Sequence, residues 1–161
     1  MRVRTIAIAT LAACLALTLT ACGAGNNAAT SLIKNVTDGA EGSITVDGND
    51  IKVRNLLLVS QSDGSAVVVG TIINSAPATD TLLKMLINGA PAELSQPTFP
   101  LVQDKPLRFS GDSANGKASL ANLKATPGDH VEMKLYFATA GVITLHVIVH
   151  DQSGTYVGVT K

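Results

Sequence analysis

The side chains able to do chemistry in this chain are few. It holds three histidines and two cysteines among 161 residues. His146 and His150 fall on one face of a strand-like segment. Four residues along a straight strand span about 13 Å at ~3.3 Å per residue, too far to share one metal ion. His130 opens the preceding strand-like segment. A turn near Ala140-Gly141 brings it within reach of either of the other two, and a cross-strand pair of His130 with His150 is geometrically sound. His130, His146 and His150 are therefore the candidate metal set, with copper as the candidate ion. Two imidazoles alone make a weak site, because zinc or copper takes three or four ligands. The favoured reading is that these histidines are partly exposed polar residues on an outer sheet face. Asp47 and Asp50 form the other close pair of acids, but they flank Gly48-Asn49, where aspartate serves a turn by accepting backbone hydrogen bonds.

Cys22 has a sharper signature. Arg2 and Arg4 precede an apolar run, Ile6 to Leu19, and small residues lead into Leu19-Thr20-Ala21-Cys22-Gly23. A positive start, an apolar middle and a small-residue site, in that order, mark a cleaved secretory signal. About 14 apolar residues also fall short of the ~20 that a spanning helix needs. The closing tetrapeptide looks like a bacterial lipobox, whose cysteine is acylated on sulfur and becomes the new N-terminus. Each buried methylene contributes about 0.8 kcal/mol, so two or more acyl chains anchor stably. Residues 1–21 are thus expected to be a lipoprotein signal peptide, and the domain to sit outside the cytoplasmic membrane, tethered at Cys22. Cys14 leaves with the leader, so the mature domain has no thiol for a disulfide, a metal or catalysis.

Composition narrows the function further. Twelve basic residues balance twelve acidic ones, and loss of Arg2 and Arg4 leaves 10 against 12. No segment concentrates cations, so nucleic acid is not a partner. Five aromatics and no tryptophan leave little for a stacking platform. There is no Gly-x-Ser-x-Gly elbow, no His-Glu-x-x-His and no phosphate loop, so an enzyme is not expected.

The elements that must position these residues read as short strands. Residues 22–42 are the lipidated cysteine and a tether rich in Gly, Ala and Asn, whose later part makes one helical turn or a short edge strand. A β domain then spans 43–161. Ile51 to Ser60 is apolar and β-prone. Ala66 to Ile73 is almost wholly apolar and β-branched, which fits a central strand buried on both faces. Asn88-Gly89 ends another strand. The proline-rich stretch 90–106 is the least regular, and Lys117 to Leu123 is a further strand candidate. From His130 to Ala138, Val131, Met133, Leu135 and Phe137 point one way and polar residues the other, the pattern of a half-buried antiparallel strand. Ile143, Leu145, Val147 and Val149 repeat it, and Tyr156 to Val159 adds an edge strand. Strands at this spacing, cut by Gly, Asp, Asn and Pro, indicate an all-β, antiparallel, immunoglobulin-like or cupredoxin-like sandwich.

Several of these segments carry a resemblance. They are Gly64-Ser65-Ala66-Val67-Val68-Val69, Ile73-Asn74-Ser75 leading to Asp80-Thr81-Leu82, Leu120-Ala121-Asn122-Leu123-Lys124, Pro127-Gly128-Asp129-His130-Val131, and Leu135-Tyr136-Phe137-Ala138-Thr139-Ala140-Gly141. In order and spacing, from about Ile51 to Val149, they resemble the periplasmic copper chaperone family and its actinobacterial LpqE-like lipoprotein relatives. The resemblance implies a sandwich fold and, in the chaperones, Cu(I) held by His and Met ending in a His-x-Met pair. Lys117 and Ser119 stand where that pair would fall, and residues 90–101 contain neither His nor Met. An ammonium cannot replace a thioether or imidazole toward Cu(I). The expectation is a membrane-anchored, non-enzymatic binding module without a cofactor. It would meet an envelope protein or small ligand through the proline-rich stretch or a sheet edge. The alternative is a copper-binding protein using the three histidines.

Overall fold

The structure, a computed structural model, describes residues 38–161. The leader, Cys22 and the tether up to residue 37 lie outside the described residues. The elements are β1 (Ala40–Ile44), β2 (Ile51–Ser60), β3 (Ala66–Asn74), β4 (Asp80–Ile87), β5 (Ala90–Pro91), β6 (Glu93–Leu94), β7 (Phe99–Leu101), β8 (Leu107–Arg108), β9 (Ala118–Leu120), β10 (His130–Phe137), β11 (Val142–His150) and a 3-10 helix, Gly154–Tyr156. The first strand begins at Ala40, inside the span read as tether. It is an edge strand against β2, with Ile44 opposite Ile51 and an Arg54–Glu41 ion pair at 2.6 Å.

The strands run in the order β5-β4-β10-β11-β2-β3-β9-β6, with β1 on β2, β7 on β4 and β8 on β3. β11 is the seam. It lies antiparallel to β10, then its end turns parallel to β2, placing Val149 and His150 opposite Leu58 and Val59. The sheet folds over so that Leu82, Met85 and Ile87 of β4 and Met133 and Leu135 of β10 meet Leu56 and Leu58 of β2 and Val68 and Ile72 of β3 in one core. Aliphatic side chains make up most of it, with Phe99, Phe109 and Phe137 as its aromatics. The fold is all-β and sandwich-like, and both apolar clusters form from residues within 38–161, so this segment carries its own core.

A bulge sets which side chains enter that core. Arg54 pairs with Thr71 and Leu57 with Val69, so Asn55 and Leu56 together face Gly70. The extra residue inverts the alternation of β2. Ile51 and Val53 point into the core before it, Leu56 and Leu58 after it. Leu57 and Val59 turn outward and join Val69 in a second cluster. Burial of β3 on both faces follows from that cluster. The C-terminal segment covers it with Tyr156 and Val159. Tyr156 to Val159 is not the edge strand the sequence suggests. Tyr156 N–H donates to Ser153 at 2.9 Å and Val159 N–H to Tyr156 at 3.2 Å, and Gly158 adopts φ +83°. The chain turns, and a spacing of three puts both apolar knobs on the same cluster.

Candidate functional site

Four places were candidates for chemistry: the histidines, the acid pair, the strand holding Lys117 and Ser119, and the proline-rich stretch. The register of β10 on β11 decides the histidines. His130 sits opposite Ile148, and His146 sits opposite Glu132. His150 lies beyond the part of β11 paired with β10 and opposite Val59 of β2, its ring 4.9 Å from that of Tyr156 beneath the C-terminal segment. Its Nε2 is buried without a hydrogen-bond partner. The expected His130–His150 cross-strand pair is therefore replaced by a diagonal relation, because Ile148 occupies the position across from His130. Glu132 holds Lys134 at 2.9 Å, which raises the Lys134 pKa through that hydrogen bond and the nearby charge. Among the described residues no three His, Cys, Asp or Glu side chains form a group able to hold a metal ion.

The acid pair lies at the turn, but not with the backbone hydrogen bonds expected of it, and Asp50 Oδ1 is buried without a partner. Asp47 adopts φ +53° beside Gly48 at φ +80°. Asp50 Oδ2 accepts from Lys52 Nζ at 3.0 Å, so its partner is an ammonium and not a backbone N–H. A related turn holds Asp129, whose carboxylate accepts from the N–H and the hydroxyl of Thr126, and these bonds lower its pKa.

The strand β9 alternates cleanly. Ala118 and Leu120 are buried, while Ser119 is half-buried and faces away from the core. Ser119 lies between Val67 of β3 and Glu93 of β6. Lys117 is exposed, donates its backbone N–H to Ser95 Oγ at 3.0 Å, and reaches the Lys161 backbone oxygen with Nζ at 2.9 Å. Ammonium, hydroxyl and carboxylate are the groups presented there, all hard. The sulfurs of Met85 and Met133 are in the core with no exposure. A Cu(I) ion, which wants thioether and imidazole, does not fit these residues.

The proline-rich stretch is ordered by short strands. Phe99 to Leu101 pairs with β4, and Glu93–Leu94 pairs with β9. Between β7, β8 and the loop at Asn115 lies an open cleft of about 230 Å³, walled by Phe99, Pro100, Val102, Pro106 and Leu107, with Gln96, Lys105 and Asn115 as its polar groups. Phe99 and Leu107 form a buried floor, and Phe99 meets Phe109 edge to face at 5.9 Å. Gly116 has no room for a side chain: a Cβ would lie 2.8 Å from Leu107 Cδ1 and 2.9 Å from Phe99 Cε1. Asn115 closes the loop, donating to the Pro106 oxygen at 3.0 Å and accepting from Arg108 N–H at 2.8 Å.

Two residues that support this region, Asn74 and Asp80, stand in the segments that carry the resemblance, but were given no role from sequence. Asn74 is buried; its amide donates to Ala78 and Leu101 carbonyls at 2.7 and 2.8 Å and accepts from Ala76 N–H at 2.9 Å. Its own carbonyl accepts from Asp104 N–H at 2.8 Å. One side chain and one carbonyl thus fix both ends of the Leu101–Asp104 corner. Asp80, also buried, accepts from Thr81, Thr139 and Ala140 N–H groups at 2.7 to 2.9 Å, tying β4 to the β10–β11 turn. An asparagine before Ser-Ala-Pro is a visible turn signal; its burial is not.

Among solved structures the chain is similar to the copper-bound PCuAC domain from PmoF2, with a TM-score of 0.58 and 19% identity over 70% of this chain and 98% of that one. It is similar to the apo PCuAC domain from PmoF1 (0.58, 18%, 70% and 99%) and to the apo PmoF2 domain (0.52, 17%, 72% and 96%). The likeness is one of fold: a PCuAC-like β-sandwich. No family model matches the chain, and no curated protein matches it in sequence.

Proposed function

We propose that this chain is a lipid-anchored protein of the extracytoplasmic membrane face, held at Cys22, whose domain binds an envelope protein or small ligand without catalysis or cofactor. The observation that carries the reading is a PCuAC-like fold with hard side chains, Lys117 and Ser119, where the resemblance would put soft ligands, and both core methionines out of reach. What the domain offers instead is the apolar cleft of the proline-rich stretch, set on a fixed floor. Such concave apolar surfaces with a few polar groups are where proteins take ligands. A cross-linking pulldown from intact cells tests this, using the lipidated chain and a Pro100→Asp variant that places a charge in the cleft. A partner captured by the wild type and lost in the variant is expected. Equal capture by both would remove the cleft from the interaction.

A second reading is metal handling. It draws on the copper-bound fold neighbour and on the register that sets His146 opposite Glu132 with His130 diagonal to it. Titration with Zn(II) and Cu(II) separates the readings: stoichiometric micromolar binding lost in His146→Ala supports the metal, and no binding leaves the cleft.

A further inference from the structure

We propose that residues 151–161 form a strap that lifts as a unit off the outer face of β2 and β3, hinging after His150, while the rest of the domain stays folded. The face beneath it is apolar and covered: Leu57, Val59 and Val69 are at most 5% exposed. The segment above it is not covered in turn. Every residue from 151 to 161 is exposed except Tyr156 and Val159, which are half-buried. Those two and Ile148 are what packs on the cluster. Sheet bonding stops where the segment begins. His150 lies opposite Val59, and its carbonyl accepts from Ser60 Oγ at 3.0 Å. Beyond it, the N–H groups of Tyr156, Val157 and Val159 donate to Ser153, Gly154 and Tyr156, all within the segment. Lifting the strap breaks none of these bonds.

Side chains hold it down at three points. Near the hinge, the Tyr156 ring lies 4.9 Å from that of His150 and its hydroxyl donates to Asp38 at 3.1 Å. Midway, Gln61 and Gln152 both donate to the Val159 oxygen, at 3.2 and 2.7 Å. At the tip, Lys117 Nζ donates to the Lys161 oxygen at 2.9 Å, and Lys161 Nζ meets Asp63 at 2.8 Å. All but the Gln61 bond are solvent-exposed, where water competes for each partner and salt screens the ion pair. Closure also keeps His150 Nε2 buried without a partner, a desolvation cost that opening removes. A thin apolar cover, a self-contained backbone and exposed ties define a segment that opens locally. The strap therefore sets whether the apolar strip of Leu57, Val59 and Val69 meets the surroundings.

The test is thiol labelling of the chain from residue 23, which holds no cysteine and contains both apolar clusters. Val59→Cys and Val69→Cys each put one thiol under the strap, on two different strands, and Val68→Cys puts one in the main core. Urea denaturation of each variant gives the labelling rate that global unfolding alone would allow. With an aromatic disulfide reagent, both thiols under the strap should react at least about 100-fold faster than that limit, while the Val68→Cys thiol reacts at it. The fast reactions should share one opening constant and depend weakly on urea, because lifting the strap exposes little surface. Should one of the two variants fail to fold, the other carries the comparison. Labelling of both at the global limit, with the full urea dependence, would overturn the strap. Unequal opening constants would overturn its lifting as a unit. Reaction as fast as that of an unfolded chain would show that it does not close.

Discussion

Buried hydrogen-bonding side chains hold the edges of this domain. Asp80→Ala would leave the Thr81, Thr139 and Ala140 N–H groups without their acceptor, and Asn74→Ala would release Ala76, Ala78 and Leu101. Each change should lower the unfolding free energy by about 2–4 kcal/mol, measured by urea denaturation. Asn74→Ala should in addition loosen the Leu101–Asp104 corner, seen as faster amide exchange there. Exposed carboxylates act in the pH dependence. Hydrogen bonds from Lys161 and then Ser65 hold the Asp63 carboxyl well below its ordinary range. A lowered folded-state pKa stabilises above the unfolded value, near pH 4, and that contribution is lost as pH falls through the folded value. Asp63→Asn should therefore lower the Tm slightly at neutral pH, and the difference from wild type should vanish in strong acid. Tyr156 has the opposite sign. Burial, then its hydrogen bond to Asp38, raises its pKa, so its contribution is intact below about pH 10 and lost as pH rises through the folded value. With Tyr136 and Tyr156 as the chain's tyrosines, absorbance of tyrosinate should show a late-titrating component that is absent in Tyr156→Phe.

At the scale of elements, the bulge and the C-terminal segment divide the work. Gly70 sits at φ +147°, and a Cβ there would lie 3.0 Å from Leu56 Cα, a backbone atom that cannot give way. Gly70→Ala should cost about 1–3 kcal/mol by the same denaturation assay. Leu57→Ala should cost about 2–5 kcal/mol although Leu57 lies outside the main core, because it is fully covered by the second cluster. Strands with simple alternation were legible: β10 and β11 fall where Val131 to Phe137 and Ile143 to Val149 place them. β3 was legible as buried on both faces, but not what covers it, since two knobs three residues apart in a glycine-containing tail carry no strand or helix period. The histidine partnership depends on register. A hairpin turn read from Ala140-Gly141 leaves the pairing uncertain by residues, and a shift of two sets Ile148 in place of His150. The short strands β5 to β8, of two or three residues each, are held by long-range pairing and leave no periodic signal. The cleft they frame was legible only as a proline-rich stretch.

For the whole molecule, the fold and the ligand set point in different directions. The sandwich is PCuAC-like, while the described surface lacks a sulfur donor, since both of its methionines are buried. Retention at the membrane is a separate property, which the proposed function assigns to Cys22. A Cys22→Ala chain should fold as the wild type does and leave the membrane fraction after a carbonate wash; if it stays, the lipid anchor is wrong. The central claim is that this PCuAC-like domain does not carry Cu(I) as a soft-ligand site would. Its most direct test is anaerobic titration of the chain from residue 23 with Cu(I) against a competing chromophoric chelator. The prediction is that the chelator keeps its copper throughout, with no stoichiometric transfer to the protein. Transfer of one equivalent, abolished in His146→Ala, would contradict it.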